Sequence, residues 1–180
     1  MKLLVRLVAV LSGIAAALGG LATATCLVLV GVSVVSRYVF NEPLPWIDRV
    51  AGWLVVALVL LAAPEAQRRF EHIGVDIAVS QASPGWARAS RLAGTLSVAA
   101  VGAILTVAGW EAVSFSRMVG LATEIEAVPL WWVQMLLPIG ASVLCLVALV
   151  QSLVLLTGGT PEYQPTGEDQ LPRDTLARGE

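Results

Sequence analysis

Charge is what this sequence has least of. Asp, Glu, Lys and Arg make up only 13% of its 180 residues, and they leave four stretches with none: Leu7–Ser36, Val50–Pro64, Leu92–Trp110 and Ala127–Pro161. Histidine occurs once, at His72, and cysteine twice, at Cys26 and Cys145. One histidine cannot ligate haem from two helices. Two distant cysteines form no Cys-x-x-Cys pair and argue against a disulfide framework; inside apolar runs they read as small buried hydrophobes. No glycine-rich phosphate loop, metal-ligand cluster or nucleophile–base pair can be assembled. The sequence therefore predicts no catalytic, cofactor-binding or metal-binding residues. A proton or ion path needs ionisable groups within a span, and none falls near mid-depth. No basic run suggests nucleic acid, and the net charge is only -2.

What is present is grease. A hydrophobic fraction of 57% and a mean hydropathy of +0.82 lie outside the range of soluble domains. A spanning helix takes about 20 mostly apolar residues. The pattern predicts an all-α integral membrane protein with four transmembrane helices, over about residues 7–36, 46–66, 85–112 and 128–156. The second is short: the apolar run between Arg49 and Glu65 measures roughly 22 Å at about 1.5 Å per residue. It spans if it starts near Trp46 and its flanking charges snorkel. The first apolar run is too long for a removed signal peptide, whose apolar core is only about 7–15 residues, so helix 1 is expected to be retained.

Residues 1–156 thus form one membrane domain. Residues 157–180, rich in Pro, Gly and acids, are expected to be a disordered cytoplasmic tail. Between helices 2 and 3, residues 65–84 are amphipathic. Ile73, Val75, Ile77 and Val79 alternate like a strand, while Phe70, Ile73 and Ile77 fit a helical face. A short interfacial amphipathic helix is favoured, with Ser83-Pro84 opening helix 3. Lys2, Arg6, Arg68, Arg69, Arg88 and Arg91 flank the spans on one side, and Arg37, Arg49 and Arg117 on the other. That bias places both termini in the cytoplasm. Tyr38, Trp46, Trp110, Trp131 and Trp132 then form one interfacial belt on the outer side.

Two features could carry interactions. On helix 1, Gly13, Ala17, Gly20, Ala24 and Gly31 fall within about 60° of one another, a small-residue stripe suited to close helix packing. Either another helix of this chain or a different subunit could occupy it. Gly94, Gly102 and Gly109 form a looser version on helix 3. Polar residues also gather at the ends of helix 2: Arg37, Asn41, Glu42, Asp48 and Arg49 outside, Glu65, Arg68, Glu71, His72 and Asp76 inside. They are either solvated helix ends or, for Asp48 and Arg49, groups paired with a partner.

The run Arg37-Tyr38-Val39-Phe40-Asn41-Glu42-Pro43-Leu44-Pro45-Trp46-Ile47-Asp48 resembles the small membrane subunit of tripartite ATP-independent periplasmic (TRAP) transporters, the DctQ-like small permease. Arg68-Arg69-Phe70-Glu71-His72-Ile73-Gly74-Val75-Asp76 and Val128-Pro129-Leu130-Trp131-Trp132 to Leu137-Pro138-Ile139-Gly140 are also similar to it. The resemblance covers about residues 5–156. It departs at Arg49, where the family usually has a second carboxylate, and at Pro64-Glu65.

The resemblance implies a non-catalytic scaffold without cofactor in the bacterial inner membrane. Its partner would be a large permease subunit that uses an ion gradient to take up an organic acid. A periplasmic substrate-binding protein would deliver the acid, and membrane lipids would surround the assembly. Arg37, Tyr38, Trp46, Asp48, Arg49, His72 and Asp76 then become candidates for contact with the partner subunit. The alternative is a self-sufficient small homodimeric four-helix membrane carrier, which usually keeps a membrane-embedded Glu that helix 1 here lacks.

Overall fold

The computed structural model describes residues 2–69, 84–125 and 128–157. The expected interfacial helix and the expected tail therefore lie outside the described residues, apart from 65–69, 84 and 157. Among the described residues five helices follow one another: α1 Lys2–Val39, α2 Pro45–Arg69, α3 Pro84–Val119, α4 Leu130–Gln134 and α5 Leu136–Leu156. With α4 and α5 taken together, four spans are long and apolar enough to cross a membrane.

The first three spans overrun the expected boundaries, most of all α1 and α3, while the last begins at Leu130 and ends at Leu156 as expected. At about 1.5 Å per residue α1 measures about 57 Å and α3 about 54 Å, against a hydrocarbon thickness of about 30 Å. Both must tilt or project beyond it. Charge ends the hydrocarbon zone but not the helix, so Arg37, Arg88, Arg91, Glu111 and Arg117 all remain helical.

Backbone chemistry sets the real ends. Beyond α1, Asn41 takes the left-handed conformation, with φ of 57°, and the Glu42 amide returns to the Ser36 carbonyl at 3.1 Å. Pro45 then opens α2 with φ already helical, where its missing N–H costs nothing. Beyond α3, Gly120 has φ of +71° and the Leu121 amide donates to the Ser116 carbonyl at 3.0 Å. This is a Schellman closure, which favours glycine at that position. The last span is broken at Met135, where the sequence predicted one helix. Pro138 has no N–H for the Gln134 carbonyl, and its ring crowds that turn.

The packing order is α1, α2, α5, α3. α1 lies on α2, α3 on α5, and α2 meets α5, while α1 touches α5 only lightly. Hydrogen bonds show that α1 and α2 run antiparallel, as do α3 and α5, while α2 and α5 run parallel. Arg37 on α1 meets Asp48 on α2 at one end, called here the upper end. At the lower end Ser12 on α1 meets Glu65 on α2, and Gln67 on α2 meets Gln151 on α5.

Between the helices lie small side chains. Ala15, Ala22, Ala51, Ala57, Ala99, Ala141 and Ala148 are buried, whereas Leu21, Leu27 and Ile104 face outward. In a bilayer large apolar side chains gain little by leaving lipid, so close backbone approach drives association. Glycine marks the tightest places. A Cβ on Gly19 of α1 would meet Leu58 and Ala62, one on Gly102 would lie 3.0 Å from Cys145, and one on Gly109 2.9 Å from Pro138. A Cβ on Gly140 would lie 2.7 Å from the carbonyl oxygen of Leu60. That carbonyl is the one Pro64, four residues on, leaves without its helical donor. Thus α5 approaches α2 at the turn that the proline has opened.

The proposed stripe of α1 is not part of this packing. Gly13, Ala17, Gly20, Ala24 and Gly31 are all exposed, and a Cβ on Gly13, Gly20 or Gly31 would meet nothing within 4 Å. Of the two occupants open at the sequence level, another helix of this chain is ruled out among the described residues. The reason is rotation by one position: α2 sits on the face holding Gly19, about 100° from Gly20. On α3, Gly102 and Gly109 do pack, against α5, and Gly94 does not.

The Gly140→Ala variant is expected to lose about 1–3 kcal/mol by overpacking. Gly52→Ala, where nothing lies within 4 Å, should lose nothing. Thermal unfolding of the two proteins in one detergent, followed by circular dichroism, measures the difference.

Candidate functional site

At the upper end, the last turn of α1 and the first turn of α2 bring Arg37 and Asp48 together at 2.8 Å. Each charge also suits its helix terminus, a cation at the C-terminal end and an anion at the N-terminal end. The Ser33 hydroxyl donates to the second Asp48 oxygen at 2.8 Å. Arg49, one position on, faces the other way. Its Nε meets the Glu124 carboxylate at 2.7 Å, and its Nη1 donates to the Glu124 carbonyl at 2.9 Å.

A tight turn presents Glu124. The Thr123 and Leu130 amides donate to the Val128 and Leu121 carbonyls, both at 3.0 Å, and Ala122 bridges Pro129. The Thr123 hydroxyl also donates to the Val128 carbonyl at 2.9 Å. The neighbouring Arg37–Asp48 and Arg49–Glu124 pairs therefore tie α2 to α1 on one side and to the α3–α4 turn on the other. Nearby, the Arg117 guanidinium lies 5.5 Å from the Trp131 ring centre, a cation–π distance. Tyr38, Trp46, Trp110 and Trp132 are exposed around this end.

At the lower end the polar contacts are buried. The Glu65 side chain is 9% exposed and accepts from Arg68 at 2.6 Å, from Arg69 at 2.8 Å and from the Ser12 hydroxyl of α1 at 2.7 Å. Gln67 Nε2 donates to Gln151 Oε1 at 3.0 Å, and Gln151 Nε2 donates to the Gln67 carbonyl at 3.0 Å. The Ser152 hydroxyl donates to Thr95 of α3 at 3.0 Å. Arg88 of α3 reaches the Leu155 carbonyl at the end of α5. These contacts join all four spans in their packing order.

Of the candidates read from the sequence, Arg37, Asp48 and Arg49 carry partners within the chain. Tyr38 and Trp46 stand exposed beside them. His72 and Asp76 lie outside the described residues. Sequence reasoning missed Ser12, Thr95, Gln67, Gln151 and Ser152, all buried polar residues. A signal existed: isolated amides and hydroxyls inside apolar spans are the usual donors and acceptors between membrane helices. Nothing in the sequence, however, says that Ser12 meets Glu65, 53 positions away. Among the described residues no three of His, Cys, Asp and Glu come together as for a metal. What the arrangement does chemically is neutralise charge close to the helix ends and hold the spans in register.

Glu65→Ala is expected to cost about 2–3 kcal/mol. That is below the ~3–5 kcal/mol of fully buried pairs, because its arginines partly reach solvent. Asp48→Ala, at the half-exposed upper pair, should cost less than about 1 kcal/mol. Unfolding by denaturant in mixed micelles, with the two variants side by side, gives the comparison.

Comparison with the curated proteins finds no match. A family model described as "Tripartite ATP-independent periplasmic transporters, DctQ component" matches residues 26–158, from the second half of α1 through α5. Four apolar spans and a family match over well over half the chain agree: this multi-pass membrane protein belongs to the DctQ family, a component of tripartite ATP-independent periplasmic transporters.

Proposed function

We propose that this chain is the non-catalytic scaffold of its transporter, binding and stabilising a large permease subunit while that subunit moves the solute. In this reading the protein sits in the bacterial inner membrane with both termini cytoplasmic. The permease is driven by an ion gradient and receives an organic acid from a periplasmic binding protein. Orientation is supported by the bias of Arg6, Arg68, Arg69, Arg88 and Arg91 to the lower end, against Arg37, Arg49 and Arg117 at the upper end.

One observation carries the scaffold role. Glu65 and Asp48 are held by arginines of the same chain near the ends of their helices, while the small-residue face of α1 stands open along five positions. The first is what a body that moves no cargo requires. The second is a surface on which a foreign helix can seat its backbone closely. Arg37, Tyr38, Trp46, Asp48 and Arg49 at the upper end, with His72 and Asp76 outside the described residues, are the further candidates for contact with that subunit.

Gly20→Leu combined with Ala24→Leu should leave the isolated chain as stable as the parent, since nothing among the described residues meets that face. Co-purification of the large subunit in mild detergent should fall about tenfold or more, the equivalent of about 1.4 kcal/mol. Undiminished recovery removes α1 as the contact. Full-rate solute uptake by the large subunit reconstituted without this chain removes the scaffold role. Uptake by this chain alone in liposomes establishes the self-sufficient homodimeric carrier instead.

A further inference from the structure

A cavity of about 360 Å³ opens at the upper end of α1, lined by Val30, Ser33, Val34, Arg37, Tyr38 and Asp48. Its chemistry changes along the helix: Val30 and Val34 lie on the hydrocarbon side, and the charged and hydroxyl groups lie toward the water. The Arg37–Asp48 pair is a wall of this cavity and is about half exposed. Much of its bonding capacity is unspent. Arg37 engages Asp48 through Nη2 alone, and the two Asp48 oxygens accept from Arg37 and Ser33. A guanidinium has five N–H donors and a carboxylate about four acceptor sites. Tyr38 is 76% exposed beside them.

We propose that this cavity binds the headgroup of an ethanolamine-type phospholipid. The lipid phosphate accepts hydrogen bonds from the Arg37 guanidinium and the Tyr38 hydroxyl. Its ammonium donates to the Asp48 carboxylate, and the upper part of one acyl chain lies against Val30 and Val34. A zwitterion laid antiparallel across a fixed ion pair meets an opposite charge at both ends. A purely anionic headgroup would satisfy Arg37 but face Asp48, and a choline headgroup has no N–H to donate. Near the bilayer boundary the effective dielectric is lower than in water, so this matching weighs more than at an aqueous surface. The leaflet concerned is the outer one if the orientation proposed above holds; the headgroup chemistry itself does not depend on it.

Native mass spectrometry of the full chain reads the proposal directly, using an equimolar mixture of phosphatidylethanolamine, phosphatidylglycerol and phosphatidylcholine with identical acyl chains. The ethanolamine lipid should be retained in preference to both others, and Arg37→Gln and Asp48→Asn should each abolish the preference. Tyr38→Phe removes a hydroxyl that makes no hydrogen bond within the described residues, so it leaves the fold intact. It should lower retention about threefold, the scale of one net hydrogen bond. Equal retention of the three lipids, or a preference unchanged in Tyr38→Phe and Arg37→Gln alike, overturns the assignment. So does displacement of the lipid by equimolar water-soluble glycerophosphoethanolamine, because the site would then be one for a free solute.

Discussion

Within a bilayer, apolar side chains gain almost nothing by touching each other instead of lipid, and every other feature of this chain follows from that. Helices stay together only where their backbones come close or where a polar group finds a partner. The interior is accordingly rich in alanine and glycine, with Ile47, Val147 and Leu155 among its few larger side chains, and many of the leucines that would fill a soluble core point outward. The α2–α5 seam shows the constraint at its sharpest. Pro64 frees the Leu60 carbonyl, and α5 presents glycine at Gly140, the one residue type that fits beside it. Two local defects of helix chemistry thus become one interhelical contact.

Polar contacts supply what close approach does not, and their depth matters. A carboxylate at the bilayer centre costs several kcal/mol. Glu65 lies instead in the last turns of α2, with Arg68 and Arg69 on the same helix one turn away. From there it still reaches Ser12 of α1. At the same end of the bundle neutral groups make the other contacts: Gln67 with Gln151, and Thr95 with Ser152. Charge kept away from the bilayer centre and paired where it occurs is what desolvation cost dictates. Among the described residues the same arrangement leaves the one buried carboxylate, Glu65, compensated by Arg68 and Arg69.

The four spans were legible because charge vanishes from them, and a run of about twenty apolar residues has few other uses. Their ends were not, because helix formation continues past the hydrocarbon until Asn41 or Gly120 supplies a left-handed residue. The break at Met135 could have been read from Pro138, but a proline early in an apolar run also suits a helix start. Pairing was the least legible layer. Arg37, Asp48 and Arg49 were singled out from the sequence and Glu124 was not, and the assignment of Arg37 to Asp48 and of Arg49 to Glu124 needed the fold. Gly19 and Gly20 are adjacent and chemically identical. Only the rotation of α1 against α2 decides which one is buried.

That rotation carries the last step. Glycine within a helix costs roughly 0.5–1 kcal/mol relative to alanine, so an internal glycine normally accompanies a contact that needs it. Gly19, Gly102, Gly109 and Gly140 each have such a contact inside the chain. Gly13, Gly20, Gly31, Gly52 and Gly94 have none among the described residues, and the first three share one face with Ala17 and Ala24 over half the length of α1. Lipid does not require a glycine, since acyl chains conform to any apolar surface. A rigid helix does require one, because its own backbone must come near. The face of α1 that meets nothing among the described residues is therefore one whose composition suits another helix, which is why the proposed docking of the large subunit is placed there and not on the leucine-lined faces of α3 or α5.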